Sequence, residues 1–292
     1  MWEAPSRSAC AADSDRTEVR RGQRGGRVRH GHEHALREQG AESVTTYAAI
    51  YDIHGNLPAL EAVLSEIRAA GIDEIVVGGD VIPGPMPRET LDRLLELDLP
   101  VRFIRGNGER VVLAELDGIE SEEVPQPFRE GIRWTARQLE KRHETSIASW
   151  PAHLELTAGS LGTILFCHAT PRNDTEIFTR NTAEARLLPV FTGVRADVVV
   201  CGHTHMQFDR TVGGTRVVNA GSVGMPFGDP GAYWLELGRE LRLRHTPYDL
   251  AAAAERIRGT SYPQAEEFAR HNVLQPPSEQ QILSAYANAE LR

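Results

Sequence analysis

Along residues 46–107, segments with the apolar pattern of a strand alternate with segments that have the apolar spacing of a helix. The pattern predicts three strands separated by two helices. Short β-rich runs occupy residues 46–52, 73–80 and 100–107, and a helical pattern occupies residues 88–97. The first helix is predicted by apolar side chains at helical spacing before a glycine suited to end it: Leu57, Leu60, Val63, Leu64, Ile67 and Gly71. A βαβαβ order implies a mostly parallel sheet with right-handed crossovers, so the fold class is α/β.

After residue 107 the pattern becomes helical and then returns to short strands. Helices are predicted over residues 128–144 and 182–191. Strand patterns follow at 162–168, 196–203, 207–212, 214–222, 232–238 and 240–248. Surface helices are expected over 250–259, 262–271 and 278–291. These patterns define one domain over 46–292, with a core at 47–237 and a C-terminal helical extension at 248–292.

Residues 1–45 show no amphipathic period, because eight arginines and seven acidic residues stand among few apolar ones. We expect a disordered N-terminal tail there. Three of the eleven histidines, His30, His32 and His34, fall in this segment, where no fold would fix their rings for metal binding.

Composition narrows the classes of partner. Of 292 residues, 40% are hydrophobic, which is enough for a packed core. The net charge of -9 disfavours binding to nucleic acid or to anionic membranes. No apolar run approaches the about 18 residues that cross a bilayer, and charges stand where a signal peptide would be apolar. Cys167 and Cys201, two of three cysteines, close apolar runs. We therefore expect a cytoplasmic protein with no predicted nucleic-acid groove or membrane contact.

Polar side chains follow five of the predicted strands at the point where each strand ends. In open α/β sheets such positions converge beyond the carboxyl ends of the strands. Each residue taken alone is equally suited to a helix cap or a turn. Together they form a mixed oxygen and nitrogen set, which suits Mn, Fe, Zn, Co or Ni and is too large for one tetrahedral site. The candidate metal ligands are Asp52, His54, Asp80, Asn107, His168, His203 and His205.

The other four histidines, His143, His153, His245 and His271, are scattered along the chain. We expect them to be exposed to solvent.

The ordered motifs resemble those of the calcineurin-like metallophosphoesterases. They are D-I-H-G-N at 52–56, G-G-D at 78–80, G-N at 106–107, the histidine of F-C-H-A-T-P and G-H-T-H at 202–205. The N-A-G-S-V-G-M-P stretch at 219–226 is similar to the small prokaryotic phosphodiesterase branch of that superfamily. The resemblance implies a four-layer α/β/β/α sandwich, here with a helical insert at 125–150 and C-terminal helices.

The resemblance also implies a dinuclear metal centre, with manganese expected and Fe, Ni, Zn or Co as alternatives. Asp80 would bridge the two ions. The first ion would take Asp52, His54, Asp80 and His205, and the second Asp80, Asn107, His168 and His203. A hydroxide bridging the ions would attack a phosphodiester or phosphomonoester in line, so Asp80, Asn107 and His203 are the expected catalytic residues.

Three further residues are candidates for supporting or substrate-binding roles. Asn56 is expected to orient a metal ligand, with a turn residue as the alternative. Arg172 is placed to touch a substrate phosphate, with an ordinary surface arginine as the alternative. Glu109 is a candidate proton donor because it follows the G-N motif closely.

One departure from the superfamily pattern concerns the leaving group. The superfamily usually has histidine after the G-N asparagine, where it protonates or stabilises the leaving oxygen, and here the residue is Gly108. Since proton transfer contributes about 10²- to 10⁴-fold where it is used, we expect slow turnover of esters with poor leaving groups. Installing histidine at 108 should then raise the rate on poor leaving groups most. Alternatively Glu109, another side chain or a metal-bound water supplies the proton.

The sequence leaves the substrate open among a monoester, a linear diester, a cyclic nucleotide and a dinucleoside polyphosphate. The insert and the C-terminal helices are the expected sources of selectivity or of contacts in a homo-oligomer. A non-catalytic binding or scaffold module of the same fold is the alternative function, favoured by Gly108 and opposed by the complete ligand set. Dinucleotide binding is disfavoured, since no G-x-G-x-x-G follows a strand.

Overall fold

Two five-stranded sheets form the centre of the computed structural model, which describes residues 44–287 and 289–291. Most of the predicted 1–45 tail, with its three histidines, lies outside the described residues. The strands are β1 Tyr47–Ile50, β2 Glu74–Val77, β3 Val101–Phe103, β4 His153–Ala158, β5 Gly162–Cys167, β6 Val198–Cys201, β7 Phe208–Val212, β8 Thr215–Asn219, β9 Ala232–Leu237 and β10 Leu241–Thr246. The α-helices are α1 Leu57–Ala70, α2 Pro87–Leu95, α3 Asn107–Leu116, α4 Gln126–Gln138, α5 Lys141–Ser149, α6 Glu184–Phe191, α7 Leu250–Arg258, α8 Ala265–Phe268 and α9 Glu279–Tyr286.

The first sheet has the order β10-β9-β1-β2-β3. Strands β1, β2 and β3 are parallel, with Ala48 opposite Ile75, as the βαβαβ pattern predicts. β9 joins β1 antiparallel and β10 forms a hairpin with β9. The second sheet has the order β4-β5-β6-β8-β7, in which β5, β6 and β8 are parallel. Each sheet therefore has a parallel centre whose strands end at one edge.

Alternating side chains in the buried strands separate three apolar clusters. In β1, Ala48 and Ile50 face the helices, whereas Tyr47 and Ala49 face the other sheet. In β6, alternate valines contact the first sheet, and the residues between them pack with Leu187 and neighbours on α6. Because side chains alternate with a period of two, both sheets are apolar on both faces. The order of layers is α/β/β/α, which confirms the predicted sandwich.

Helix α1 shows how the sequence sets an element's limits. The Asn56 side chain accepts a hydrogen bond from the Ala59 N–H, which caps the first turn, and Gly71 ends the helix with φ +67°. The apolar positions predicted for this helix are all buried against the first sheet. The helix therefore places the loop at 52–56 firmly at the carboxyl end of β1.

The insert and the C-terminal extension pack on the same outer face of the first sheet as α1. Ile132 of α4, Ile147 of α5, Ala254 of α7 and Phe268 of α8 belong to one buried cluster. Helix α7 buries one face in this cluster and exposes the other, and in α9 the buried residue is Leu283, as expected of surface helices. Residues 269–274 continue α8 as a π-helical segment, and α9 ends at Tyr286 rather than at 291.

Two other expectations differ from the structure. Strand β4 was not predicted, because as an edge strand it exposes His153, Glu155 and Thr157 and shows few apolar positions. His143 is fully buried rather than exposed to solvent. Its Nε2 lies 2.7 Å from an Asp92 carboxylate oxygen and its Nδ1 accepts the Glu140 N–H at 3.1 Å, so this ring joins α5 to α2.

None of the described helices has both the length and the apolar character needed to cross a bilayer.

Candidate metal centre

The seven predicted ligands all follow strands at the edge where the parallel strands end. Asp52 and His54 follow β1, Asp80 follows β2, and Asn107 begins α3 after β3. His168 follows β5 directly, and the G-H-T-H histidines follow β6. Five of them are buried, with exposures between 0% for Asp52 and 9% for His205. The fold therefore gathers residues spread over about half of the sequence at one location.

One group of potential ligand atoms comes from Asp52, His54 and His205, which lie within 4.8 Å of one another. The Nε2 atoms of the two histidines are 3.3 Å apart, and His205 Nε2 is 3.5 Å from Asp52 Oδ1. Asp80 Oδ2 lies 3.7 Å from His54 Nε2 and faces the same group.

A second group comes from Asp52, Asp80 and His168. His168 Nε2 is 3.5 Å from Asp80 Oδ1, 3.9 Å from Asp52 Oδ1 and 3.0 Å from Asn107 Oδ1. The two oxygens of Asp80 thus face different histidines, His54 and His168. Asp52 Oδ1 also contacts both groups, a sharing that the sequence did not predict.

His203 lies beside the second group. Its ring centroid is 5.2 Å from that of His168, and its backbone N–H donates to Asp52 Oδ2 at 2.8 Å. Its Nε2 is 3.1 Å from the Thr175 carbonyl oxygen, which leaves Nδ1 as the nitrogen free to accept. The structure places this residue next to the centre, outside the two groups of closely spaced ligand atoms.

Backbone carbonyl groups fix the orientation of the other histidine rings as well. His168 Nδ1 donates to the Gly78 oxygen at 3.0 Å, and His205 Nδ1 donates to the Met225 oxygen at 2.7 Å. The Nε2 lone pair of each ring then points at the carboxylates. A histidine whose second nitrogen is bound to a carbonyl is held in the tautomer that a metal requires.

The ligand loops have an unusual backbone conformation. Six non-glycine residues in the described part of the chain have positive φ, and five of them are predicted ligands. They are Asp52 (53°), His54 (48°), Asp80 (51°), His203 (65°) and His205 (59°). Left-handed conformations at side-chain-bearing residues cost free energy, and they concentrate at functional sites.

Glu109 holds the Asp80 loop through its backbone. The buried carboxylate accepts the N–H groups of Asp80 (2.9 Å), Val81 (2.7 Å), Ile82 (3.2 Å) and Gly106 (2.8 Å). Burial raises the pKa of Glu109, and the four donors oppose that rise by stabilising the carboxylate. With its oxygens engaged in this way, Glu109 is a positioning residue, and the structure gives no support to its predicted role as proton donor.

Gly108 has no space for a side chain. A Cβ there would lie 2.2 Å from the Ile82 carbonyl oxygen and 2.8 Å from Asp80 Oδ1. The Gly108 N–H donates to that same Asp80 oxygen at 2.6 Å. A side chain at 108 would have to displace the Asp80 loop, which opposes the expectation that a histidine there would assist the leaving group.

Asn56 and the 219–226 stretch tie the loops together. Asn56 Nδ2 donates to the backbone carbonyl oxygen of Gly224 at 3.0 Å. The Gly224 N–H in turn donates to the backbone carbonyl oxygen of Asp52 at 3.0 Å. Asn56 therefore supports the backbone of a ligand loop and contacts no ligand side chain.

Two residues of this stretch have roles that sequence reasoning missed. Ser222 Oγ donates to the backbone carbonyl oxygen of Asp52 at 2.8 Å. Asn219 Nδ2 donates to the Gly202 oxygen at 2.6 Å and to Thr204 Oγ1 at 3.1 Å. The only signal for them was the motif itself, which carried no assigned role.

Arg172 does not reach the ligand groups. Its guanidinium pairs with the Glu176 carboxylate, with Nε at 3.2 Å, and the side chain lines a cleft of about 210 Å³ next to His168. Glu176 engages Nε and one terminal nitrogen of the guanidinium, and the predicted phosphate contact stays a prediction.

Burial and mutual charge set the protonation of the ligands. Burial lowers the pKa of His54 to about 3 and that of His203 to about 3, so both rings are neutral at pH 7. Burial raises the pKa of Asp80 to about 7, and the negative charges of Glu109 and Asp52 add to the rise. Burial opposes ionisation of Asp52 too, yet the nearby histidines, His205 first, hold its pKa below the usual range.

These features fit divalent metal ions. Asp52 Oδ1 is buried and accepts no hydrogen bond from the described residues, although it lies between the two groups of histidines. Three carboxylates, those of Asp52, Asp80 and Glu109, are buried close together, and no lysine or arginine is among the buried residues of 44–287. Buried anions need a compensating cation, and neutral imidazoles with carboxylates are ligands for first-row divalent metals.

Comparison with known proteins agrees with this geometry. Residues 46–237 match the calcineurin-like phosphoesterase superfamily domain. The chain belongs to this superfamily, and the predicted resemblance is confirmed. The phosphodiesterase YfcE of Escherichia coli K12 is 29% identical over 192 residues, which cover 62% of this chain and 82% of YfcE.

Two solved structures share the fold. The hypothetical protein PH1004 of Pyrococcus horikoshii has a TM-score of 0.67 at 20% identity, covering 80% of this chain and 99% of its own. A metallophosphoesterase from Sphaerobacter thermophilus has a TM-score of 0.61 at 24% identity, covering 78% and 98%.

Proposed function

We propose that this protein is a dinuclear metal-dependent phosphodiesterase with activated or aryl diesters as its better substrates. The observation that carries the proposal is the unsatisfied Asp52 Oδ1, which is buried between the two groups of potential ligand atoms. A buried carboxylate oxygen without a donor is costly unless a cation contacts it.

The ligands divide between two ions. Asp52, His54, Asp80 and His205 would hold the first, and Asp80, Asn107, His168 and His203 the second, with Asp80 shared. When bound, two divalent ions neutralise phosphoryl oxygens and make a hydroxide nucleophile available near neutral pH. Manganese is our first candidate, and Fe, Ni, Zn or Co suit the same donors.

The protein's own contribution is a fixed arrangement of ligands. Carbonyl groups orient His168, His203 and His205, and Glu109 holds the Asp80 loop through four backbone N–H groups. Ligands held before substrate arrives need little reorganisation during the reaction. Asn107 begins α3 with its side-chain oxygen 3.0 Å from His168 Nε2, so the two residues would hold the second ion together.

The preference for good leaving groups rests on what surrounds Gly108. No side chain stands at that position, and Glu109 is engaged by backbone donors. A leaving oxygen that needs no proton from the protein therefore suits this site best. The phosphodiesterase assignment over a monoesterase is supported by the similarity to YfcE.

The test combines metal analysis with hydrolysis. We expect about two divalent ions per chain, hydrolysis of bis(4-nitrophenyl) phosphate that a chelator abolishes, and recovery with Mn²⁺. Bound metal should also stabilise the fold, by about 2.7 kcal/mol when free metal is 100 times its Kd, so the melting temperature should rise with Mn²⁺. Absence of both metal binding and hydrolysis would instead favour a scaffold module of this fold.

We also propose a reducing compartment, the cytoplasm, for this protein. Cys167 and Cys201 are free and buried, and burial raises the pKa of both thiols, so they pack as small apolar side chains.

A further inference from the structure

A cleft of about 340 Å³ opens beside His54. Most of its lining comes from the helical insert and from the C-terminal extension. Phe128 and Ile132 belong to α4 of the insert, and Tyr262 and Phe268 to the C-terminal extension. Met225 completes the apolar lining. We refer to these five residues as the aromatic cleft. Its volume lies within the range of about 300–1,000 Å³ that is typical of small-molecule sites.

The walls combine an ordered aromatic frame with one exposed ring. Tyr262 packs edge-on against Trp134 at 5.3 Å and against Phe268 at 6.4 Å between ring centroids. Phe128 remains 57% exposed, which makes it one of a few large apolar side chains exposed in the described chain. Gln264, His271 and Asn272 supply polar groups to the same cleft. An apolar recess with a few polar groups is the usual form of a site for an organic ring.

The cleft is continuous with the candidate metal centre through His54. This ring lines the cleft, and its Nε2 is 3.3 Å from His205 Nε2 and 3.7 Å from Asp80 Oδ2. The same ring therefore borders both the candidate centre and the cleft, so a substituent on a phosphoryl group at the centre has the cleft beside it. The cleft beside His168 differs in character, because it is lined by Arg105, Arg110 and Arg172. Asp174 lines that second cleft too and pairs with Arg110, so polar parts of a substrate suit it, and apolar parts suit the aromatic cleft.

We propose that the aromatic cleft binds an uncharged planar ring of the substrate, an aryl group or a nucleobase, esterified to the phosphoryl group at the metal centre. The inference rests on the proposed function and adds the class of substrate. Three aromatic side chains favour a ring over an alkyl chain, because stacked and edge-to-face pairs contribute beyond the apolar area that they bury. Glu267 lines the cleft as well and disfavours an anionic occupant.

Binding of phosphonates to the Mn²⁺-loaded full chain tests this inference without any hydrolysis. Phenylphosphonate, cyclohexylphosphonate and methylphosphonate share the same head group and have no ester bond to break. In calorimetric titrations at a pH where all carry the same charge, we expect phenylphosphonate to bind about 10-fold more tightly than methylphosphonate. We expect it to bind about threefold more tightly than cyclohexylphosphonate.

Variants of the exposed ring connect the preference to the cleft. Phe128→Ala should remove most of the phenyl preference and leave the Kd of methylphosphonate unchanged. Phe128→Leu should keep part of the preference over methyl while losing the preference of phenyl over cyclohexyl. Ile119→Ala is the matched control, since Ile119 is 62% exposed and does not line the cleft.

The outcomes separate the two proposals. Equal affinity for phenylphosphonate and methylphosphonate overturns the aromatic cleft and leaves the phosphoesterase proposal standing. Tighter binding of the cyclohexyl compound overturns the choice of a planar ring. Failure of all three phosphonates to bind to metal-loaded protein contradicts the metal-centred phosphoesterase itself, and the inference falls with it.

Discussion

The metal centre and the aromatic cleft adjoin at His54, and they are built in opposite ways. The candidate centre consists mostly of buried side chains on short loops, of which Asp80, His168 and His205 are restrained by hydrogen bonds from neighbouring loops and helices. The cleft is lined by helices that are far apart in sequence, and its outermost ring, Phe128, is more than half exposed. The groups that we propose for chemistry are therefore rigidly held, whereas those that we propose for selectivity lie where substitution disturbs little.

The largest expected effect is on the centre. Asp80→Asn removes the charge that faces both histidine groups, so we expect the rate on bis(4-nitrophenyl) phosphate to fall by more than about 100-fold, the upper cost of losing a ligand's supporting contact. Elemental analysis should show fewer than two metals per chain. Asp98→Asn, at an exposed position, is the control. Full activity of the Asp80 variant with both metals bound would show that Asp80 is no bridge.

Support of the centre is the next target. Glu109→Gln turns an amide NH₂ toward backbone donors and leaves some of them without an acceptor, at about 1–3 kcal/mol each. We expect the free energy of unfolding to fall by about that amount for one donor or more, and metal affinity to fall about 10- to 100-fold. Chemical denaturation and metal titration measure the two effects. Glu115→Gln on the same helix should change neither the stability nor the metal affinity. Equal effects of both variants would contradict the role of Glu109 in holding the Asp80 loop.

The backbone contact at Gly108 gives a smaller effect. Gly108→Ala places a Cβ against the Ile82 oxygen, and we expect a loss of about 1–3 kcal/mol of stability, as for other overpacked sites. Gly259→Ala is a suitable control, because its Cβ would meet nothing closer than 3.5 Å. If histidine at 108 were tolerated and selectively accelerated esters with poor leaving groups, the steric argument would be refuted.

The smallest effect is expected at the cleft wall. Since Phe128 is 57% exposed, Phe128→Ala should change the free energy of unfolding by no more than about 0.5 kcal/mol and leave the number of bound metals at the wild-type value. Thermal denaturation and elemental analysis check both. A large loss of stability or metal would mean that centre and cleft are not separable as described.

The proximity of Asp52 and Asp80 was predictable because both follow parallel strands of one sheet, whose carboxyl ends meet at one edge. His168, His203 and His205 follow strands of the second sheet, and their place beside the first group depends on how the two sheets pack. The four layers followed from the resemblance carried by the same motifs. Periodicity does not show how helices distant in sequence pack together. The cleft between α4 and α8 could therefore not be predicted.

Other roles depend on contacts that leave no pattern in the sequence. Glu109 looked like a candidate acid because it is near Asn107 in the chain, but its role depends on where the Asp80 backbone lies in space. His143 looked like an isolated polar residue, and only the packing of α5 on α2 reveals its contact with Asp92. The space around Gly108 is equally a property of the folded backbone.

The left-handed backbone at the five predicted ligands has a consequence for the stability of the fold. The left-handed conformation costs about 1–3 kcal/mol at each such residue, and a glycine would not incur that cost. The five predicted ligands therefore lower the free energy of unfolding through their backbone conformation. Glycine at 52 or 80 would avoid that cost but would leave the N–H groups of His203 and Gly108 without their carboxylate acceptors. At these two positions the side chain that makes the backbone conformation costly is also the acceptor that fixes a neighbouring loop.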